Sequence, residues 1–123
     1  MRTALLVLAL AACTDEVVGR DTGSTCPPSD KPDYANFGES FFAAYCTTCH
    51  SQTRTGADRH DAPAAIDFDT RSLLREHTSN IDKQAAWGPS AHNTLMPPSG
   101  EAAQPTEAER IRLGEYIACE VGR

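Results

Sequence analysis

Residues Cys46-Thr47-Thr48-Cys49-His50 constrain this chain more than any other stretch. Two thiols separated by two residues, followed at once by an imidazole, form the attachment signature of a c-type haem. The spacing carries the chemistry. Each thiol adds across one vinyl group of the porphyrin, and two intervening residues in a helical turn set both sulfurs beneath one edge of the ring. His50 then falls beneath the iron and offers the proximal nitrogen. Two other readings stand beside this one. A thioredoxin-like redox pair belongs near a βαβ pattern, and no strand–helix–strand alternation is present. A zinc site needs a second Cys-x-x-Cys or His-x-x-x-His half, which is missing.

The chain's 123 residues suit one small domain, and a covalently fixed haem would form a large part of so small an interior. Lys+Arg 11 against Asp+Glu 17 leaves a net charge of −6. An acidic surface argues against nucleic acid and anionic lipid as partners. It suits a basic redox protein, although simple solubility explains it equally well. No Ser-His-Asp or Cys-His nucleophile set, no paired carboxylates with a pocket signature and no Gly-rich phosphate loop is present. The expectation is a carrier, not an enzyme.

Met1-Arg2-Thr3 is a short positive start, and Ala4 to Ala12 is an unbroken apolar run. The run is too short to span a bilayer, which needs about 20 residues, and fits a secretory signal. It ends in Leu10-Ala11-Ala12-Cys13, which resembles the lipobox of bacterial lipoproteins. Residues 1–12 are thus expected to be a lipoprotein signal peptide and Cys13 the acylated residue. The alternative is an ordinary signal peptide with Cys13 incidental. Residues 13–33, rich in Gly, Pro, Asp, Ser and Thr, are read as a flexible tether, and residues 34–123 as the folded domain.

Within that domain, Phe37, Phe41, Phe42 and Tyr45 mark a helix over 36–45. Residues 51–67 read as a loop. A helix is expected to start at Asp69 or Thr70, with Leu73, Leu74, His77, Ile81 and Ala85 as its apolar stripe and Gly88-Pro89 at its end. Thr78-Ser79-Asn80 is a place where it can divide. Thr106 and Glu109 form a capping box for a last helix running to about Cys119, with Leu113, Tyr116 and Ile117 on one face. No stretch alternates as a strand does, so the fold class is all-α.

These residues resemble the class I c-type cytochromes, and more closely the small monohaem cytochrome lipoproteins of bacteria, over residues 34–123. Gly38, Phe42 and Cys46 stand at intervals of four, as Gly, an aromatic and the first haem Cys do in that family. Leu113 and Tyr116 are similar to the pair on its last helix, and Met96-Pro97-Pro98 to its distal-ligand loop. The resemblance implies three or four helices around one haem, single-electron transfer, and iron held by His50 and Met96. It also implies a close crossing in which Gly38 leaves a gap for Tyr116. Met1 leaves with the signal, so Met96 is the one thioether remaining of two methionines. His92, His60 and His77 are its rivals, His92 foremost because it is close in sequence. The family ties the proximal His to a carbonyl in a Pro-containing loop, which points to Pro63. In this family haem is attached outside the cytoplasm, consistent with export and a lipid anchor facing the periplasm. Thr14 rather than Asp after Cys13 favours the outer membrane. With Cys46 and Cys49 on haem and Cys13 on lipid, Cys26 and Cys119 remain for a disulfide. The competing function is a haem-based sensor or gas-binding module, which needs a weak or open sixth site.

Overall fold

In the computed structural model, which describes residues 18–100 and 102–123, a capping box starts the first helix. The Asp33 side chain accepts from the Asn36 N–H and the Asn36 side chain accepts from the Asp33 N–H. Asn36 is therefore the third residue of the first turn, and the helix begins at Tyr34 rather than Asn36. That first stretch, Tyr34–Gly38, is a π-helical turn. It runs directly into α1, Glu39–Tyr45. Phe41 and Phe42 are buried there, with Phe42 packed on Phe68 and Tyr116.

The long helix expected after Thr70 is two. Thr70 caps α2, Arg71–Arg75, its hydroxyl accepting from the Leu73 N–H. His77 leaves helical geometry with φ −122° and ψ 16°, and α3 runs from Thr78 to Ala85. Thr78-Ser79-Asn80 thus opens the second helix rather than interrupting the first. Leu74, Ile81 and Ala85 of the expected stripe are buried. The end comes before Gly88-Pro89, because Trp87 N–H is drawn to Arg110 carbonyl across the molecule.

The last helix, α4, spans Glu107–Val121 and carries the expected reciprocal Thr106–Glu109 cap. Gly122 ends it in the left-handed region at φ 74°, a conformation glycine adopts without steric cost. Leu113, Tyr116 and Ile117 are wholly buried. Tyr116 lies over Gly38, where a Cβ would sit 3.0 Å from its Cζ. The gap expected at this crossing is therefore present.

Among the described residues the regular structure is helical, and the only β pairing is an isolated bridge between Trp87 and His92. The fold class is all-α. Expectations for Met1–Ala12 and Cys13 lie outside the described residues, and no helix among those described is long and apolar enough to cross a membrane.

Of the segment read as a flexible tether, residues 18–33 are docked instead. Thr22 is fully buried, its N–H and hydroxyl both donating to the buried Asp82 carboxylate at 2.9 and 2.7 Å. Asn93 closes the same layer by accepting from Arg20 N–H and donating to the Arg20 and Asp82 carbonyls. Polar residues here satisfy one another across the fold, and composition alone does not reveal partners that distant. Farther on, Cys26 N–H donates to the Arg123 carbonyl. Cys26 and Cys119 stand at disulfide distance, with Cα atoms 4.5 Å apart.

Candidate functional site

The pentapeptide continues the turn that ends α1. Cys46 N–H donates to the Phe42 carbonyl, and the N–H groups of Cys49 and His50 both donate to the Cys46 carbonyl, at 3.1 and 2.9 Å. One turn therefore carries both thiols and the imidazole. Both thiols are free and half-buried. Burial pushes the Cys46 thiol up to about 12, with Cys49 adding to the rise and Arg110 opposing it. Cys46 is thus held neutral, the reverse of the depressed thiol that a redox nucleophile needs.

His50 is fixed by its Nδ1, which donates to the Ile66 carbonyl at 2.9 Å. A carbonyl can only accept, so Nδ1 carries a proton, and in the neutral ring Nε2 keeps its lone pair. Burial lowers the His50 pKa, and the bond to Ile66 works against that. The acceptor expected was Pro63. Ile66 takes its place because Phe68 N–H donates to the His50 carbonyl at 3.0 Å, which brings the chain just before Phe68 alongside the ring. The Pro63 carbonyl turns to Arg59 Nη2 at 2.6 Å. Phe68 itself packs against the imidazole, ring centroids 5.0 Å apart.

Residues 51–67 contain a 3-10 turn, Gly56–Arg59, ending in a buried arginine. Arg59 Nη1 donates to the Ser51 carbonyl at 2.7 Å and pairs with Asp67 at 2.9 Å. Its Nη2 reaches the Ile66 carbonyl at 3.2 Å. The loop is thereby tied into one piece around His50. Sequence reasoning missed Arg59; an Arg and an Asp flanking a loop are too common to single out.

Met96 stands on a loop whose backbone is held from two sides. Its N–H donates to the Gln84 carbonyl at 2.9 Å, and its carbonyl accepts from Arg110 Nη1 at 2.9 Å. Arg110 is buried and also donates to the Ala85 and Asn93 carbonyls. Gln104 bridges Arg110 to the Pro97 and Pro98 carbonyls. The Met96 side chain is 38% exposed. The charge of Arg110 also opposes the rise of the Cys46 thiol, so it is felt at the pentapeptide as well as at the Met96 loop. Arg110 was also missed, because its role rests on carbonyls at the end of α3 and in the loop over residues 93–96, both distant in sequence.

The rival histidines sit differently. His92 is exposed and stacks on Trp87 with centroids 4.4 Å apart. His77 lies edge-on to Phe68. His60 is exposed, left-handed at φ 48°. Among the described residues no group of three or more His, Cys, Asp or Glu is placed to hold a metal ion.

The site thus offers two free thiols, at least one of them held neutral, an imidazole oriented through its Nδ1, and a thioether on a braced loop. That donor set fits a covalently attached haem. Comparison with protein-family models, with curated proteins and with solved structures finds no match for this chain.

Proposed function

We propose that this chain is a monohaem c-type cytochrome of class I fold that carries single electrons outside the cytoplasm. The observation that carries the reading is the turn Cys46–His50, with two free thiols and an imidazole whose Nδ1 is pinned to a carbonyl. When bound, haem supplies a one-electron iron couple. Cys46 and Cys49 would hold it through thioethers, and His50 Nε2 and Met96 Sδ would donate to its iron. The chain's own part is positioning. The Ile66 carbonyl orients the imidazole, Phe68 covers its face, and Arg110 holds the Met96 backbone. The reading extends to export, a lipid anchor at Cys13 on the periplasmic side of a bacterial membrane, favouring the outer one, and a basic redox protein as partner.

The competing reading is a haem-based sensor or gas-binding module with a weak or open sixth site. The test begins with exported protein, denatured and extracted with acid-acetone. Haem should stay with the polypeptide, and Cys46→Ala or Cys49→Ala should leave one thioether or none. Complete extraction from the wild type rejects the proposal. Carbon monoxide then separates the two functions, since a carrier binds it poorly in the ferrous state, whereas Met96→Ala opens the site. Cys13→Ser should release the protein from membranes or block its processing.

A further inference from the structure

The Ile66 carbonyl has two donors. His50 Nδ1 reaches it at 2.9 Å and Arg59 Nη2 at 3.2 Å. Arg59 is 6% exposed and ion-paired with Asp67, also buried. A carbonyl that already accepts from a guanidinium has less electron density for a second donor. The more weakly Nδ1–H is bound, the less imidazolate character the ring has and the poorer a donor Nε2 becomes. A poorer donor favours the reduced form of an iron it holds. Asp67 moderates this by neutralising part of the guanidinium's charge.

We propose that Arg59 and Asp67 are positioning residues that set the reduction potential through the shared Ile66 carbonyl, Arg59 raising it and Asp67 restraining the rise. The proposal rests on the haem reading above. The two residues should act in opposite directions. Arg59→Gln frees the carbonyl for Nδ1–H and leaves the Asp67 charge unmatched, so the potential falls. Asp67→Asn leaves the guanidinium unneutralised, so the potential rises. A scaffold that merely held the loop would be loosened by either change, and both potentials would move the same way.

The experiment is a one-electron redox titration of the haem-loaded wild type, Arg59→Gln, Asp67→Asn and the double variant. Proton NMR of the His50 Nδ1–H in the reduced proteins gives an independent readout. Each single variant should change the reduction equilibrium about tenfold, ~59 mV for one electron. The double variant should fall between them. The Nδ1–H resonance should move downfield in Arg59→Gln and upfield in Asp67→Asn. Shifts of one sign in both variants, or less than twofold in each, overturn the inference while leaving the haem reading intact. If Arg59→Gln does not accumulate, Asp67→Asn decides alone: a raised potential supports the inference, and a lowered or unchanged one overturns it. A wild type that carries no covalent haem overturns the haem reading first, and the inference falls with it.

Discussion

Gly38→Ala sets two effects against each other. The backbone at Gly38 has φ −58° and ψ −51°, a helical geometry that alanine adopts freely. Taken alone, the substitution removes freedom from the unfolded chain and stabilises by about 0.4–1 kcal/mol. The crossing opposes it. The new Cβ would stand 3.0 Å from Tyr116 Cζ, 3.1 Å from Tyr116 Oη and 3.1 Å from Tyr34 Cδ2. Carbon atoms pack best at about 3.5–4.0 Å. The Tyr116 ring is fully buried and faces Phe37 and Phe42, with centroids 5.9 and 6.2 Å away. It has little room to yield, so overpacking should cost about 1–3 kcal/mol. The overpacking term wins, and the net destabilisation should be about 1–2 kcal/mol. Denaturant unfolding without reductant measures it. The same change in a Tyr116→Leu background should be neutral or stabilising, and the difference between backgrounds is the coupling. If Gly38→Ala proves as stable as the parent in the Tyr116 background, the close crossing is wrong.

Other outcomes follow from the same contacts. Arg110→Met strands the Ala85, Asn93 and Met96 carbonyls; the loss should be about 2–4 kcal/mol, less than the sum of the bonds because a buried cation is also removed. If Arg110 braces Met96 as a donor to the iron, that variant should also bind carbon monoxide faster in the ferrous state, which stopped flow would report. A Cys26–Cys119 bond, at a sequence separation of 93, should stabilise by about 4–5 kcal/mol; alkylation of the native, unreduced protein should find neither thiol. The Thr106 backbone N–H holds the Glu109 pKa down, and the Thr106 and Tyr45 hydroxyls add to this. The unfolded chain thus takes up that proton first: the stabilisation is full above about pH 4.3 and is lost as pH falls through the lower folded value. Glu109→Gln should flatten that part of the acid-unfolding profile, and an unchanged profile would count against the cap.

How much was legible in the sequence depended on how far apart the interacting groups lie along it. Thr106 and Glu109 meet within one turn of α4, and both halves of their cap are present. The turn Cys46–His50 is also local, so the spacing of its thiols and imidazole could be read directly. Apolar periodicity identified Leu113, Tyr116 and Ile117 as a buried face, because a helix has only one side to hide. Gly38 and Tyr116 are distant in sequence, and a resemblance to a known crossing supplied what periodicity could not.

Tertiary structure alone decided where buried polar groups find partners. Residues 18–33 have a linker's composition, yet Thr22 is tied to Asp82 across 60 positions. Pro63 was a reasonable acceptor for His50 by its place in the loop, but the Phe68–His50 backbone bond brings Ile66 to the ring instead. Arg59 and Arg110 are of ordinary surface residue types and are nonetheless buried, because each gathers several carbonyls that the packed chain brings together. Sequence pattern registers what a residue does to its neighbours three or four positions away. Hydrogen-bond satisfaction in an interior is a condition on the whole fold, and it becomes determined only when the helices and loops are in place.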